Sequence, residues 1–191
     1  MLNSNLEELV LETDRLYLKV LDEHFAPQVL DYYQRNNELL KQWEPLRDRE
    51  FYTIPSQQNI LQGEFDKIQT GQLFRVWLFK KEEDFRKPIG TVALSNIVRG
   101  AFQSCHLGYK LDVQEINQGY MTEAVQAVTR YAFEDLRLHR IEANIIPRNQ
   151  ASMKVVQKLG FYDEGLAKKY LKINGIWEDH IHMVLLNVAM E

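Results

Sequence analysis

The stretch from Cys105 to Phe161 constrains this chain most, because it reads as strand, glycine-bearing turn, helix, strand, polar cap and second helix, with polar residues at the joints. In Cys105-His106-Leu107-Gly108-Tyr109-Lys110-Leu111 the apolar positions alternate, the period-two pattern of a strand with one buried face. The strand stops at Asp112. Gln114, Glu115, Asn117 and Gln118 lead into Gly119, after which Met121, Val125, Val128, Ala132 and Leu136 recur at three- and four-residue steps, the stripe of an amphipathic helix. A glycine turn at a helix N-terminus gathers unpaired backbone N–H groups at the positive end of the helix dipole, a place that suits phosphate. The same glycine also serves as an ordinary helix start, and local pattern leaves both readings open. Arg140 to Ile146 alternates as a second strand, and Pro147 ends it. Asn149, with Ser152 three residues on, has the form of an N-cap opening a helix from Ala151 to Leu159, which Gly160 stops.

Length sets the outer bounds. A chain of 191 residues with 45% hydrophobic and 11% aromatic residues suits one domain, 1–191, with material for one core. No run of 18 apolar residues occurs, and the start Met1-Leu2-Asn3-Ser4-Asn5-Leu6 lacks the basic and apolar regions of a signal peptide, so a cytoplasmic location without membrane attachment is expected. The single cysteine, Cys105, excludes an internal disulfide framework and falls on the apolar side of its strand, where it reads as a small buried hydrophobe. With 27 acidic against 23 basic residues and a net charge of -4, the chain is not expected to bind nucleic acid, and cationic partners suit it better.

Taken in order, Leu2 to Leu11 reads as a short helix or loose arm, Arg15 to Val20 as a first strand, and Asp22 as the cap of a helix through Val29 and Tyr33. Residues 36–54 mix Leu39, Leu40, Trp43, Pro45, Phe51 and Tyr52 with charges, either a substrate-facing loop with short helices or a flap of local core. Ser56 to Ile68 reads as a helix ended by Gly71, Leu73 to Phe79 as a central strand buried on both faces, Lys80 to Lys87 as a loop, and Ile89 to Val98 as the next strand. Leu166 to Ile173 and Ile176 to Val188 flank Asn174-Gly175, a pair whose tolerance of positive φ makes it a strong hairpin signal. The sum is six or seven mostly antiparallel strands and four main helices in a mixed α+β sheet.

Five segments together resemble the GCN5-related N-acetyltransferases, and within them the RimJ/RimL-like ribosomal-protein N-terminal acetyltransferases. They are Leu107-Gly108-Tyr109, Asn117 to Ala124, His139 to Asn144, Pro147 to Ser152, and Leu159-Gly160-Phe161, covering about a third of the chain in the family's order. The resemblance implies the acetyltransferase fold, with helices on both faces of a sheet that splays beside the glycine-bearing strand to admit acetyl-CoA. It implies that the cosubstrate is held by Leu111, Val113, Asn117, Gln118, Gly119, Tyr120, Met121, Thr122, Asn149 and Ser152. The family's pyrophosphate loop, Arg/Gln-x-x-Gly-x-Gly/Ala, aligned on Gly119 puts Ile116 at the Arg/Gln position and Met121 at the final small position. Main-chain donors from Asn117 to Met121 do not depend on those side chains.

Direct transfer of acetyl to an amine needs a neutral amine, a donor for the thioester oxygen and a group to protonate the leaving thiolate. No metal is required. Glu142, out of phase with Ile141, Ala143 and Ile145, is either the group that takes the amine's proton through water or a salt-bridged strand carboxylate. Some relatives place a tyrosine general acid seven residues after the cap asparagine; here that position is Val156, and Ser152 is the substitute, compatible with its capping-turn role. Trp43 is the candidate wall of the acceptor site. His180 and His182 share a strand face without an evident third ligand, so no metal is expected. The expected acceptor is a protein N-terminal amine, with a ribosomal protein beginning in alanine implied by the resemblance. A small amine such as a polyamine or antibiotic, and a CoA-binding module without turnover, are the alternatives, and monomer or dimer stays open.

Overall fold

The computed structural model describes residues 9–191. In chain order these form β1 (Val10–Glu12), β2 (Leu16–Lys19), α1 (Ala26–Leu40), α2 (Ile54–Gln69), β3 (Phe74–Lys80), β4 (Gly90–Val98), β5 (Ser104–Leu111), α3 (Tyr120–Glu134), β6 (Arg140–Ile145), α4 (Gln150–Lys158), β7 (Tyr162–Ile173) and β8 (Ile176–Leu186). The strands make one sheet in the order β1-β2-β3-β4-β5-β6-β8-β7. All neighbours are antiparallel except β5 and β6, which run parallel.

β3 explains the layering. Apolar residues at both parities give it two buried faces: Phe74, Val76 and Leu78 join the core beneath α3 and α4, whereas Trp77 and Phe79 join the core beneath α1 and α2. Tyr32 and Tyr33 of α1 meet the Trp77 ring edge-on, at 5.3 and 6.0 Å between centroids. The α3 stripe falls as its spacing predicts, with Met121, Val125, Val128 and Ala132 buried and Leu136 just beyond the helix buried too. Among the described residues no helix is long and apolar enough to cross a membrane.

The sheet has eight strands rather than six or seven. The addition is β1, which occupies the end of the segment read as a short helix or arm; residues 1–8 of that segment lie outside the described residues. Three residues are too few to show a period, and β1 exists because Val10 to Glu12 pair with Lys19 to Tyr17. β7 begins at Tyr162, ahead of the expected Leu166, because register shifts at Asp163/Leu166 and Ala167/Leu171 break its alternation. Asn174 and Gly175, at φ 49° and 82°, make the expected tight β7–β8 turn. In the 36–54 segment α1 runs on to Leu40, a short 3-10 turn at Glu50–Tyr52 buries Phe51 against Tyr33 as a flap of local core would, and Trp43 stays half-buried.

Candidate active site

Pairing between β5 and β6 stops after three registered positions, Ser104↔Arg140, Cys105↔Ile141 and His106↔Glu142. Beyond them β5 continues to Leu111, paired only with β4, while β6 continues to Ile145, paired only with β8. The sheet therefore opens as a wedge whose apex is His106 and Glu142. Parallel strands that diverge leave unpaired backbone donors and acceptors facing each other, which an extended ligand can satisfy.

The turn before α3 stands at the mouth of this wedge. Asn117 and Gly119 are left-handed, at φ 63° and 84°, so the backbone reverses tightly around the exposed Gln118. No side chain caps α3, and the first helical bond of the turn is from the Glu123 N–H to the Gly119 carbonyl. The amides of Tyr120, Met121 and Thr122 thus point out of the helix end without an intrahelical acceptor. Arg15, from the segment before β2, lies against this turn. Its Nη1 donates to the Gln118 carbonyl at 3.0 Å, its guanidinium sits 4.4 Å above the Tyr120 ring, and a Cβ built on Gly119 would stand 3.4 Å from its Nη2. Ile116, at the position where the family's loop has Arg or Gln, is exposed, and the guanidinium arrives from elsewhere in the chain. An uncapped helix end, a left-handed glycine and an adjacent arginine fit a diphosphate.

Upstream, Asp112 is fully buried and holds the strand end: Oδ1 accepts from the Gln114 N–H at 3.0 Å and Oδ2 from Arg35 Nε at 2.6 Å. Burial opposes ionisation, yet these donors outweigh it and hold the carboxyl below its ordinary pKa. Leu111 ends β5 half-buried; the amide of the exposed Val113 is already engaged by Asn36 Oδ1 at 2.9 Å.

Asn149 caps α4 as its sequence predicts, accepting from the Ser152 N–H at 3.2 Å. Ser152 Oγ in turn donates to the Tyr109 hydroxyl at 2.7 Å, and that hydroxyl donates to the Ser152 carbonyl at 2.9 Å. This pair spans the wedge from β5 to α4 on the α3 side of the sheet. Burial pushes the Tyr109 phenol up to about 12. Val156 is fully buried in the core, so no hydroxyl occupies the vacant tyrosine position.

Across the sheet, cross-strand partners place His106, Glu142, Asn144 and His182 on the α1/α2 face. Glu142 receives His182 Nδ1 at 2.9 Å on Oε1 and Arg140 Nη2 at 3.0 Å on Oε2; His106 Nε2 is 3.7 Å from Oε1. Burial alone would raise its pKa, but Arg140 and His182 prevail and lower it. Arg140 also holds the exposed Glu164 down to about 2. The shift in β7 at Lys169, left-handed at φ 50°, brings Tyr170 into this group, its hydroxyl 3.4 Å from Asn144 Nδ2 and its ring 4.9 Å from that of His182. Above the group, Trp43 faces Arg148 at 5.6 Å, Arg148 pairs with Glu178 at 2.8 Å, Glu44 pairs with Lys110, and Asn174 Nδ2 donates to the Lys41 carbonyl. The β7–β8 hairpin is thereby joined to the segment after α1. His180 Nδ1 lies 3.0 Å from the Glu178 carbonyl, apart from His182 Nδ1, which faces Glu142. Among the described residues, the cluster with metal-ligand spacing is Asp22, Glu23 and His24, far from this face in the chain and held by Asp22 capping His24.

The family model for the acetyltransferase (GNAT) domain matches residues 15–162. The chain belongs to the GNAT acetyltransferases. It is 38% identical over 178 residues to a probable N-acetyltransferase YjcK of Bacillus subtilis, covering 93% of this chain and 97% of that protein. To the ribosomal protein uS5-alanine N-acetyltransferase of Escherichia coli it is 38% identical over 179 residues, covering 93% and 91%. The crystal structure of ribosomal-protein-S5-alanine acetyltransferase from Vibrio fischeri superposes with a TM-score of 0.90 at 36% identity, covering 96% of this chain and 100% of that one. This GNAT protein is thus an N-acetyltransferase of the RimJ/RimL type.

Within this GNAT frame, sequence reasoning missed Arg15, Asp112, Tyr109 as a partner of Ser152, and His182 as a partner of Glu142. Only His182 carried a local signal, its two-residue spacing from His180, and that signal pointed toward metal rather than toward Glu142.

Proposed function

We propose that the protein transfers the acetyl group of acetyl-CoA to the N-terminal amine of a ribosomal protein beginning with alanine. The observation that carries the reading is the wedge between β5 and β6, with the uncapped α3 end at its mouth and Glu142 at its apex. The names of the E. coli and V. fischeri relatives support the acceptor. Acetyl-CoA supplies an acyl group already activated as a thioester. Amides from Asn117 to Thr122, with Arg15 behind them, hold the diphosphate; Leu111, Val113 and Asn149 line the path of the pantetheine arm; the Ser152 hydroxyl holds a proton for the departing sulfur; and the Glu142 end of the wedge accepts the amine's proton. Trp43 walls the acceptor.

The charges on the acceptor side favour a single amine over a polyamine. Glu44, Glu142 and Glu178 are each paired with a cation of the protein, Lys110, Arg140 and Arg148 respectively, so they do not form a free acidic wall for several ammonium groups. A thiol-release assay with acetyl-CoA against alanine-starting peptides, the same peptides with blocked N-termini, and polyamines tests the reading. Release is expected with free alanine N-termini and lost on blocking. Release that persists on blocked peptides, or that polyamines drive best, overturns it.

A further inference from the structure

The Glu142 carboxylate is poorly disposed to take a proton itself. Both of its oxygens already accept from the protein, Oε1 from His182 and Oε2 from Arg140, and its affinity for a proton is lowered by those donors. The imidazole beside it is placed differently. A carboxylate can only accept, so the short contact at Nδ1 places a proton on Nδ1, and the neutral imidazole then carries its lone pair on Nε2. That Nε2 is buried and has no hydrogen-bond partner in the protein. Asn144 Oδ1, directly across the β6–β8 register from His182, is likewise buried and unpaired. Tyr170 touches both side chains. With the imidazole neutral, two unsatisfied acceptors therefore lie opposite each other across the β6–β8 register, two residues along β6 beyond the apex of the wedge. Buried polar atoms without partners are rare in folded proteins, and a pair of acceptors complements an amine, which brings only donors and one lone pair.

We infer that His182 Nε2 is the base that takes the proton from the acceptor amine, with Glu142 a positioning residue that fixes the imidazole's tautomer and Asn144 Oδ1 a second acceptor that orients the amine. The inference rests on the acetyl-transfer reading above. As the amine nitrogen forms its bond to the thioester carbon, the carbon–sulfur pair departs on sulfur. The proton shed by nitrogen goes to His182 Nε2 and then to solvent, while sulfur receives its proton from Ser152, which solvent restores. The ionisable groups around the imidazole are His106 on β5, Arg140 and Glu142 on β6, Glu164 and Tyr170 on β7, and His180 on β8.

Two measurements on the full chain test this. Nitrogen-15 NMR of histidine-labelled protein reads the tautomer in the absence of any substrate: His182 is expected with hydrogen on Nδ1 in the wild type. In Glu142→Gln, where Arg140 claims the amide oxygen and the NH₂ turns to the ring, hydrogen is expected on Nε2. Hydrogen on Nε2 in the folded wild type overturns the inference whatever the enzyme acetylates. Kinetics then follow kcat/KM across pH 5.5 to 9 with the best acceptor. His182→Asn is expected to lose about a hundredfold to ten-thousandfold, to lose the acid limb of the profile, and to keep the acetyl-CoA KM. Glu142→Gln should fall to a similar level and the double variant no further, as for residues acting as a unit. A wild-type rate in His182→Asn, or additive losses in the double variant, removes His182 as the base while leaving the acetyltransferase reading intact. A wild type that acetylates no amine overturns both.

Discussion

Arg15 and Glu123, 108 positions apart, are locked side by side: Nε of the arginine donates to Oε2 at 2.8 Å, and its Nη2 lies 2.6 Å from the same oxygen. Oε1 accepts from the Arg15 N–H at 2.9 Å and from the Thr13 hydroxyl at 2.6 Å. The chain entering β2 is thereby tied to the first turn of α3, and the guanidinium is held against the Gln118–Tyr120 turn. Unpaired, Glu123 would add a negative charge near the helix end proposed for the diphosphate; paired with Arg15, that charge is neutralised.

Arg15→Gln should accordingly weaken acetyl-CoA binding more than it weakens the fold. Loss of one charge-assisted contact and release of the Glu123 charge together predict about a tenfold or greater rise in Kd, each tenfold being about 1.4 kcal/mol. Calorimetry with CoA reads it. Unchanged affinity would place the diphosphate away from this arginine.

How much of this was legible in the sequence follows from the range of each interaction. The α3 stripe, the Asn149 cap and the Asn174-Gly175 turn were all readable, because period, capping and positive φ act within a few residues. The wedge beside the glycine-bearing strand was implied only by the family resemblance, and the parallel β5–β6 pairing at its apex was not foreseen, because strand direction across a crossover leaves no mark in local period. Arg15 was hidden because nothing near Thr13-Asp14-Arg15 reveals that it will meet Gln118, and the Glu142–His182 pair was hidden because it depends on β6–β8 register. β7 misled through its bulges, since two register shifts erase the alternation by which a strand is recognised.

Gly119 separates backbone from charge. Its φ of 84° penalises any side chain, while a Cβ there meets nothing closer than Arg15 Nη2 at 3.4 Å, so both Gly119→Ala and Gly119→Asp should fold. Each should lose about 1 kcal/mol of stability from the left-handed backbone. Only Gly119→Asp adds a carboxylate beside the diphosphate, so its CoA affinity should fall at least tenfold below that of Gly119→Ala. Equal affinities in the two variants would refute a diphosphate at this turn.

Acid should unfold the protein through Asp112. Its folded pKa is depressed: burial would raise it, but the Gln114 N–H and Arg35 outweigh burial. A carboxyl lowered on folding contributes stability above its unfolded pKa, near about 3.9, and loses it as pH falls through the folded value. Thermal melts should therefore stay level from neutral pH to about 5 and drop below about 4. Asp112→Asn should cost about 3 kcal/mol at pH 7, because Arg35 loses a buried partner, and should flatten the drop. A variant with the wild type's acid profile would assign the sensitivity to other carboxylates such as Glu123.

Gly108 lies on the same sheet face as His106 and Glu142, is exposed, and has open space where a Cβ would be. Its φ is not left-handed, so β-branched residues are compatible with its place in β5. The glycine at this position therefore leaves room and is not demanded by backbone conformation. Gly108→Val should leave the melting temperature within a few degrees of wild type while filling the space beside the wedge apex on the acceptor side. The acceptor KM should rise by about tenfold or more, a loss of about 1.4 kcal/mol, with little change in the KM for acetyl-CoA, whose proposed place is the α3 end. On the proposed role of Trp43 as a wall of the acceptor site, with its ring stacked against Arg148, Trp43→Ala should move the same two constants in the same unequal way. If Gly108→Val instead raises the acetyl-CoA KM and spares that of the acceptor, the two ligands have been assigned to the wrong faces of the sheet.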